Sequence, residues 1–302
     1  MLKKLIEAIR NKTLSNKIYK HIMAFRHIFY LEDNMIRNYQ RSYLVYKLLK
    51  KRYQYVLDKQ IKQNDRKKGD KIWTCWFQGI ENAPEVCQVC VKRMKQIFGE
   101  DKVIVITADN YMDYVDIPEY IVDKWKKGII VYAHFSDILR LCLLVQHGGT
   151  WIDSTILLLR KNIPSYFYDS PLFVFADHIS GLRPNIQNSY LSAYSNSRIL
   201  TCVRNLLFEY WKKENYVINY SIFHLFFQMA EEKYADEWKE VYRYPNHSTH
   251  ILRKELGRVF DKQRYEAIKD ACVIQKLTYK KDFSSFEAGS FYDEIIVKGN
   301  ID

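Results

Sequence analysis

The chain has 302 residues, of which 48% are hydrophobic, and it contains only 10 Gly and 6 Pro. This composition excludes a disordered chain and suffices for one sizeable core, or for one core with a small accessory lobe. The net charge of +12 is concentrated in residues 1–70, which hold 18 Lys and Arg against 6 Asp and Glu. Such a basic segment favours anionic lipid headgroups, nucleic acid or an acidic glycan, or it is simply a solvated helical surface.

The six cysteines do not form a pattern of paired metal ligands. Only Cys87 and Cys90 are closely spaced, and a structural zinc site normally needs a second such pair. Residues 1–12 lack the uninterrupted apolar stretch of a signal peptide, and no apolar run reaches the roughly 18 residues that span a bilayer. We therefore expect a cytoplasmic protein with reduced thiols.

Residues 1–60 are predicted to be helical. Leu2, Leu5, Ile6 and Ile9 recur at helical spacing, so that basic residues occupy the other faces. The polar stretch before residue 70 is typical of a linker. The predicted division is a basic helical region over 1–68 and a catalytic domain over 69–302. The basic region is expected to contact an anionic membrane surface, peripherally on the inner face.

From residue 71 the pattern alternates between strands and helices, which is typical of an α/β fold with a largely parallel sheet. Strands are predicted over 72–77, 103–106 and 151–159. Helices are predicted over 84–98, 117–127 and 136–146, and then over 199–213, 220–238 and 261–271.

The helix over 136–146 carries charges inside an apolar surface. Ser136 is a plausible N-cap, Asp137 falls in the first turn, and Arg140 follows on the same side. Apolar residues surround nearly the whole helix, which indicates that it is buried. Because isolated buried charges are costly, this Asp and Arg must pair structurally or serve in a site.

A Gly148-Gly149 turn then leads into the next predicted strand, where Asp153 follows. Ligands of open α/β sheets bind beyond the carboxyl ends of strands. A carboxylate there is placed to hold Mg²⁺ or Mn²⁺ against a diphosphate. Alone, this signal is weak, because a surface Asp in a turn explains it equally well.

Taken together, these motifs resemble the sugar-binding region of glycosyltransferases with a DXD motif, and most closely the bacterial capsular polysaccharide synthesis branch. The 134–155 block is the most specific part of a resemblance that covers about residues 70–280. The matching segments are Trp73–Gly79, Pro84-Glu85, Ile117-Pro118, Trp151–Thr155, Asn188, Tyr220–His224 and Gln275–Thr278.

The resemblance implies a GT-A-like, Rossmann-type mixed sheet flanked by helices, with an N-terminal helical extension, related to the mannosyltransferase and large clostridial toxin-like superfamily. It also implies a nucleoside-diphosphate sugar donor, a glycan or lipid-linked acceptor, and retention of anomeric configuration. Asp137, Arg140 and Asp153 are the implied catalytic residues. The implied donor-binding residues are these three together with Trp76, Gln78, Gly149, Trp151 and Thr155. Trp76 could stack on the base or sugar, although such an aromatic strand usually packs in the core.

The predicted metal site departs from the family pattern at Thr155, where the wider superfamily has a second Asp. A hydroxyl is a weaker cation ligand than a carboxylate, so Mn²⁺ or Mg²⁺ would bind weakly or use another ligand. His247 and His250 are candidates to complete the site with Asp153, but a His pair in a polar loop is more often only surface.

Acceptor binding is assigned to Asp177, His178 and Asn188, although Asp177 and His178 equally suit a local hydrogen-bonded pair. There is no Gly-x-Ser-x-Gly, Walker A or Gly-x-Gly-x-x-Gly motif, which disfavours esterases, P-loop enzymes and dehydrogenases. A nucleic-acid-binding protein would leave the 134–155 block without a purpose, so no nucleic acid partner is expected. An inert glycan-binding or scaffold protein and a metal-dependent sugar-phosphate hydrolase remain alternatives.

Overall fold

The computed structural model describes residues 34–62, 64–176 and 186–302. The helical prediction for residues 1–33 lies outside this part of the chain. Across the described ranges, no helix is both long enough and apolar enough to cross a bilayer.

A mixed six-stranded sheet forms the centre of the fold, in the order β2-β1-β3-β6-β5-β7. β1 pairs in parallel with both β2 and β3, whereas β6 is antiparallel to β3 and to β5. A second, two-stranded antiparallel sheet joins β4 to β8. The prediction of a mixed α/β sheet is therefore confirmed. The strands are β1 (Ile72–Cys75), β2 (Val103–Ile106), β3 (Gly149–Ile152), β4 (Ile156–Leu158), β5 (Leu172–Ala176), β6 (Ile186–Ala193), β7 (Tyr242–Tyr244) and β8 (Ile274–Lys276).

Helices cover both faces of the main sheet and bury two clusters of apolar side chains. The helices are α1 (Asn34–Leu57), α2 (Glu85–Phe98), α3 (Glu119–Lys126), α4 (Tyr132–His147), α5 (Arg198–Lys213), α6 (Ile222–Lys233), α7 (Ala235–Lys239), α8 (Ile251–Glu255) and α9 (Lys262–Ala271).

Three predicted boundaries need correction. The strand predicted over 151–159 is two strands, β3 and β4, separated by a turn that starts at Asp153, whose carbonyl accepts a hydrogen bond from the Ile156 amide at 2.9 Å. α4 begins at Tyr132, so Ser136 is not its N-cap and Asp137 lies in the second turn. The helix predicted over 220–238 divides into α6 and α7 at Tyr234.

α1 packs in the same core as the helices of the catalytic region. Val45, Leu49 and Tyr53 are buried together with residues of α5 and α6. The Tyr53 ring makes an edge-on contact with Phe226 of α6 at 5.9 Å between centroids. The domain boundary between residues 68 and 69 stays a prediction. Residues on both sides of it pack in one hydrophobic core.

Candidate active site

The carboxyl ends of β1 and β3 lie at one edge of the sheet. The two strands are parallel and in register, with Trp73 beside Trp151, so the residues that follow them emerge together. Trp76 follows β1 and Asp153 follows β3. The neighbouring β6 runs the other way and brings Asn188 to the same edge, where the Asp153 amide donates to the Ser189 carbonyl at 2.9 Å.

α4 carries a buried ion pair at this edge of the sheet. Asp137 and Arg140 are both buried, and Arg140 Nη1 lies 3.0 Å from Asp137 Oδ1. The Asn188 side-chain amide donates to the same Oδ1 at 2.8 Å, and the Asn188 carbonyl accepts from Arg140 Nη1 at 2.8 Å. Two elements that are distant in sequence thus hold one charged cluster. The Arg140 guanidinium also lies 4.9 Å from the Trp151 ring centroid.

Asp153 is held between two cations. Its Oδ1 accepts from the Trp151 indole N–H at 2.7 Å and lies 3.5 Å from Arg140 Nη2, while its Oδ2 accepts from Lys276 Nζ at 2.7 Å. Burial alone would raise the pKa of Asp153, but Lys276 and Arg140 hold it below its usual value. The carboxylate is therefore ionised at neutral pH.

Lys276 comes from the second sheet. Residue 276 pairs with Ile156 in the β4–β8 ladder, and the Leu277 amide donates to the Thr155 carbonyl at 2.8 Å. This pairing places Lys276 Nζ 2.6 Å from Thr155 Oγ1 as well as against Asp153.

These groups line a cavity of about 400 Å³. The cavity wall includes eight of the predicted site residues: Trp76, Gln78, Asp137, Arg140, Trp151, Asp153, Thr155 and Asn188. It also includes residues without a predicted role in binding or catalysis: Cys75, Phe77, Tyr132, Ala133, Ser136, Ser154, Tyr220, His224, Lys276 and Tyr279. The family resemblance covers the segments that contain Tyr220, His224 and Lys276. This resemblance could therefore have identified them as site residues from the sequence.

Aromatic side chains surround the mouth of the cavity. Tyr132, Tyr220 and Tyr279 are 54%, 69% and 40% exposed. The Tyr279 ring makes an edge-on contact with Trp76 at 5.2 Å between centroids. Rings that carry a hydroxyl offer both an apolar face and a hydrogen-bonding group, which suits a sugar or a nucleoside.

His224 of α6 is part of the cavity wall. Burial lowers its pKa to about 4, and the Asp137 charge, which acts in the opposite direction, does not offset this because the Arg140 charge also lowers the pKa. Its Nδ1 atom is shielded from solvent and has no hydrogen-bond partner within the described part of the chain. The imidazole is therefore neutral at physiological pH.

Several predicted site residues are not part of this cavity. Gly149 lies at the start of β3, where a Cβ would stand 2.3 Å from the Lys71 carbonyl oxygen, so it serves close backbone packing. His247 and His250 lie in a 3₁₀ helix outside the cavity wall, and His250 Nδ1 is 2.9 Å from Thr249 Oγ1. The predicted His ligands are therefore not gathered with Asp153. Asp177 and His178 lie outside the described residues.

The position predicted for a divalent cation at Asp153 is occupied by a side chain. Mg²⁺ sites in proteins usually have one or two carboxylates, and waters and substrate phosphates complete the octahedron. Here one carboxylate and one hydroxyl converge, and the Lys276 ammonium lies between them at 2.7 Å and 2.6 Å. Among residues 34–62, 64–176 and 186–302 there is no group of three His, Cys, Asp or Glu side chains that could hold a metal.

A larger groove of about 790 Å³ runs between α2 and the C-terminal segment. Two of its cations are engaged in ion pairs, Arg93 with Asp302 at 2.5 Å and Lys95 with Glu100 at 2.7 Å. It lies away from the carboxyl ends of the parallel strands, so the smaller cavity is the candidate active site.

The sequence of the chain matches a known protein family. The family model described as capsular polysaccharide synthesis protein matches residues 26–295. The chain belongs to this family. The matched range contains every residue that lines the cavity, and the family predicted from the sequence is confirmed.

Curated relatives are similar over shorter stretches. The O-glycosyltransferase braB of Annulohypoxylon truncatum is 31% identical over 98 residues, covering 30% of this chain and 23% of the relative. The O-glycosyltransferase PaGT of Phomopsis amygdali is 26% identical over 110 residues, covering 33% and 27%. The matches thus span about a quarter of the length of these relatives.

Two solved structures can be aligned with the chain. The PaToxG glycosyltransferase aligns with a TM-score of 0.40 at 13% identity, covering 88% of this chain and 98% of that one. A solved transferase mutant aligns with a TM-score of 0.34 at 12% identity, covering 61% and 95%.

Proposed function

We propose that this chain is a GT-A-type glycosyltransferase that moves a sugar from a nucleoside-diphosphate donor to a glycan or lipid-linked acceptor in surface polysaccharide synthesis. The observation that carries the proposal is the charged cluster of Asp137, Arg140, Asp153 and Lys276 in one cavity at the carboxyl ends of parallel strands. Membership of the capsular polysaccharide synthesis family supports the same reaction class.

The cluster has groups for each part of such a donor. Guanidinium groups recognise phosphate oxygens, and Arg140 already lies between two carboxylates at the cavity wall. Asp137 and Asp153 can accept hydrogen bonds from sugar and ribose hydroxyls. Trp76 and Tyr279, which touch each other at the rim, offer a surface for the base.

In the proposed reaction, the bond between the anomeric carbon and the β-phosphate oxygen breaks, and its electron pair stays on the phosphate. A new bond forms to the acceptor oxygen, whose proton passes to the departing phosphate. The cavity contributes positioning and stabilisation of that leaving group. Retention of configuration is part of the proposal and can be read from the proton NMR spectrum of the first product.

The test is release of nucleoside diphosphate from UDP-, GDP- and CDP-activated sugars, with and without Mn²⁺, by the chain and by Asp153→Asn. Loss of this charge should lower turnover by about 100-fold or more, as removal of other transition-state contacts does. Asp270→Asn is the matched control, because Asp270 forms an exposed ion pair with Arg160 at 2.6 Å. Unchanged turnover of Asp153→Asn would contradict its role, and no release from any donor would favour the inert glycan-binding alternative.

We also propose that residues 1–60 attach the protein to the inner membrane face, where anionic lipids attract basic segments. Flotation with phosphatidylglycerol vesicles tests this proposal. Each Lys near such a surface contributes about 1 kcal/mol, so Lys3→Gln/Lys4→Gln should weaken partitioning by about 10- to 30-fold. The control Lys161→Gln/Lys212→Gln removes two exposed charges elsewhere. Equal flotation of both variants would refute the attachment.

A further inference from the structure

Lys276 occupies the position that the sequence assigns to a metal ion. Its ammonium lies 2.7 Å from Asp153 Oδ2 and 2.6 Å from Thr155 Oγ1, the two side chains predicted to hold the cation. The position is set by the backbone, because Lys276 pairs with Ile156 in the β4–β8 ladder. The pairing of β4 with β8 therefore brings Lys276 next to Asp153 and Thr155.

The ammonium and a divalent cation would compete for the same lone pairs. A metal ion bound to Asp153 would need the Oδ2 atom that accepts from Lys276, since Oδ1 accepts from the Trp151 indole at 2.7 Å. It would also approach two cationic side chains, because Arg140 Nη2 is 3.5 Å from Oδ1. Like charges at such distances repel strongly in a partly buried site.

The ammonium retains capacity for a ligand. It has three N–H donors, and the contacts with Asp153 and Thr155 use two of them. Lys276 is 22% exposed and lines the cavity, so the remaining donor is available there. The contacts with Asp153 and Thr155 keep the side chain oriented.

We infer that Lys276 performs the task of the divalent cation. Its ammonium binds the donor diphosphate and, with Arg140, neutralises the charge that remains on the nucleoside diphosphate when the glycosidic bond breaks. Donor binding therefore needs no metal. This inference rests on the proposed transferase function and specifies the chemistry of its donor site.

The test is calorimetric titration of UDP, GDP and CDP into the full chain, in EDTA and in MnCl₂. We expect one nucleotide to bind equally in both buffers. Lys276→Met, which keeps the length of the side chain but removes its charge, should weaken that binding in EDTA by about 10- to 100-fold, the usual effect of a charged hydrogen bond. Mn²⁺ should then partly restore binding to this variant, because Asp153 and Thr155 are vacated.

Lys298→Met is the matched control, because Lys298 also contacts two oxygens, those of Asp293 at 2.8 Å and Glu294 at 2.6 Å, outside this cavity. Electron paramagnetic resonance of the nucleotide-bound wild type supplies a second measurement that does not depend on a variant, and it should show no protein-bound Mn²⁺.

Two results would overturn the inference and leave the transferase proposal standing. The first is nucleotide binding by the wild type only with Mn²⁺, and the second is Lys276→Met binding as tightly as the wild type in EDTA. If no nucleotide binds in either buffer, the inference fails together with the proposed function.

Discussion

Replacing Arg140 by Met should destabilise the fold strongly, because it removes the cation from a buried pair. Arg140 is only 4% exposed, and its Nη1 lies 3.0 Å from Asp137 Oδ1. Methionine fills a similar volume beside Trp151 and Phe223, the rings on which the guanidinium lies. The substitution thus changes charge and hydrogen bonding more than packing.

The expected loss of stability follows from the distance between the two charges. Two unit charges 3.0 Å apart attract each other by about 5 kcal/mol at an effective dielectric constant of about 20. Desolvation offsets much of this attraction in the intact pair, but removal of one partner leaves the other charge buried. We therefore expect Arg140→Met to lower the free energy of unfolding by about 3–5 kcal/mol. Asp137→Asn/Arg140→Met should lose much less than the sum of the single variants.

Urea denaturation monitored by circular dichroism gives this free energy directly. Arg160→Met is the control, because Arg160 and Asp270 form a pair at 2.6 Å in which the side chains are 42% and 69% exposed. Such surface pairs contribute about 0–1 kcal/mol. If Arg140→Met lost no more stability than Arg160→Met, the buried charge would carry no cost, which would contradict this prediction.

Two further predictions concern stability. Burial lowers the pKa of His224 to about 4 from about 6.5 in the unfolded chain, so the unfolded state binds more protons between these values and stability falls as pH drops from 7 to 5. His224→Gln should reduce that loss by about 1–2 kcal/mol in urea titrations at the two pH values, and parallel curves would contradict the shift. Gly149→Ala should cost about 3 kcal/mol or more, because φ is +94° and the new Cβ would stand 2.3 Å from the Lys71 carbonyl oxygen. Gly299→Ala, with φ +74° and open space, should cost only about 1–2 kcal/mol in the same denaturation assay, and equal losses would rule out the clash.

The half of the site that lies close together in sequence could be predicted from the sequence. Asp137 and Arg140 lie on one turn of α4, and a glycine turn and a four-residue strand connect that helix to Asp153. Helical spacing and the turn therefore specify their relative positions almost without reference to the rest of the chain. The buried character of the helix already indicated that its charges are paired or serve in a site.

The other half depends on pairing between distant segments. Lys276 reaches Asp153 across 123 residues, because β8 pairs with β4 in a separate small sheet. Its local sequence has no feature that specifies this partner. The position of His250 also depends on the tertiary structure: it lies outside the cavity wall, with its Nδ1 2.9 Å from Thr249 Oγ1 in its own 3₁₀ helix. Which distant residues converge on an edge is decided by the strand order.

The residue type at position 155 and the lysine at position 276 are coupled by charge. A motif with two carboxylates has two negative charges and is balanced by a divalent cation. Because residue 155 is a threonine, the turn carries only the negative charge of Asp153. The Lys276 ammonium, 2.7 Å from Asp153 Oδ2, balances that charge. A divalent ion would leave the turn with excess positive charge beside Arg140. The threonine at position 155 and the lysine on β8 are therefore two parts of one electrostatic arrangement. Thr155→Asp should raise the affinity for Mn²⁺ in calorimetric titration much more in the Lys276→Met variant than in the wild type, and an equal gain in both would contradict this coupling.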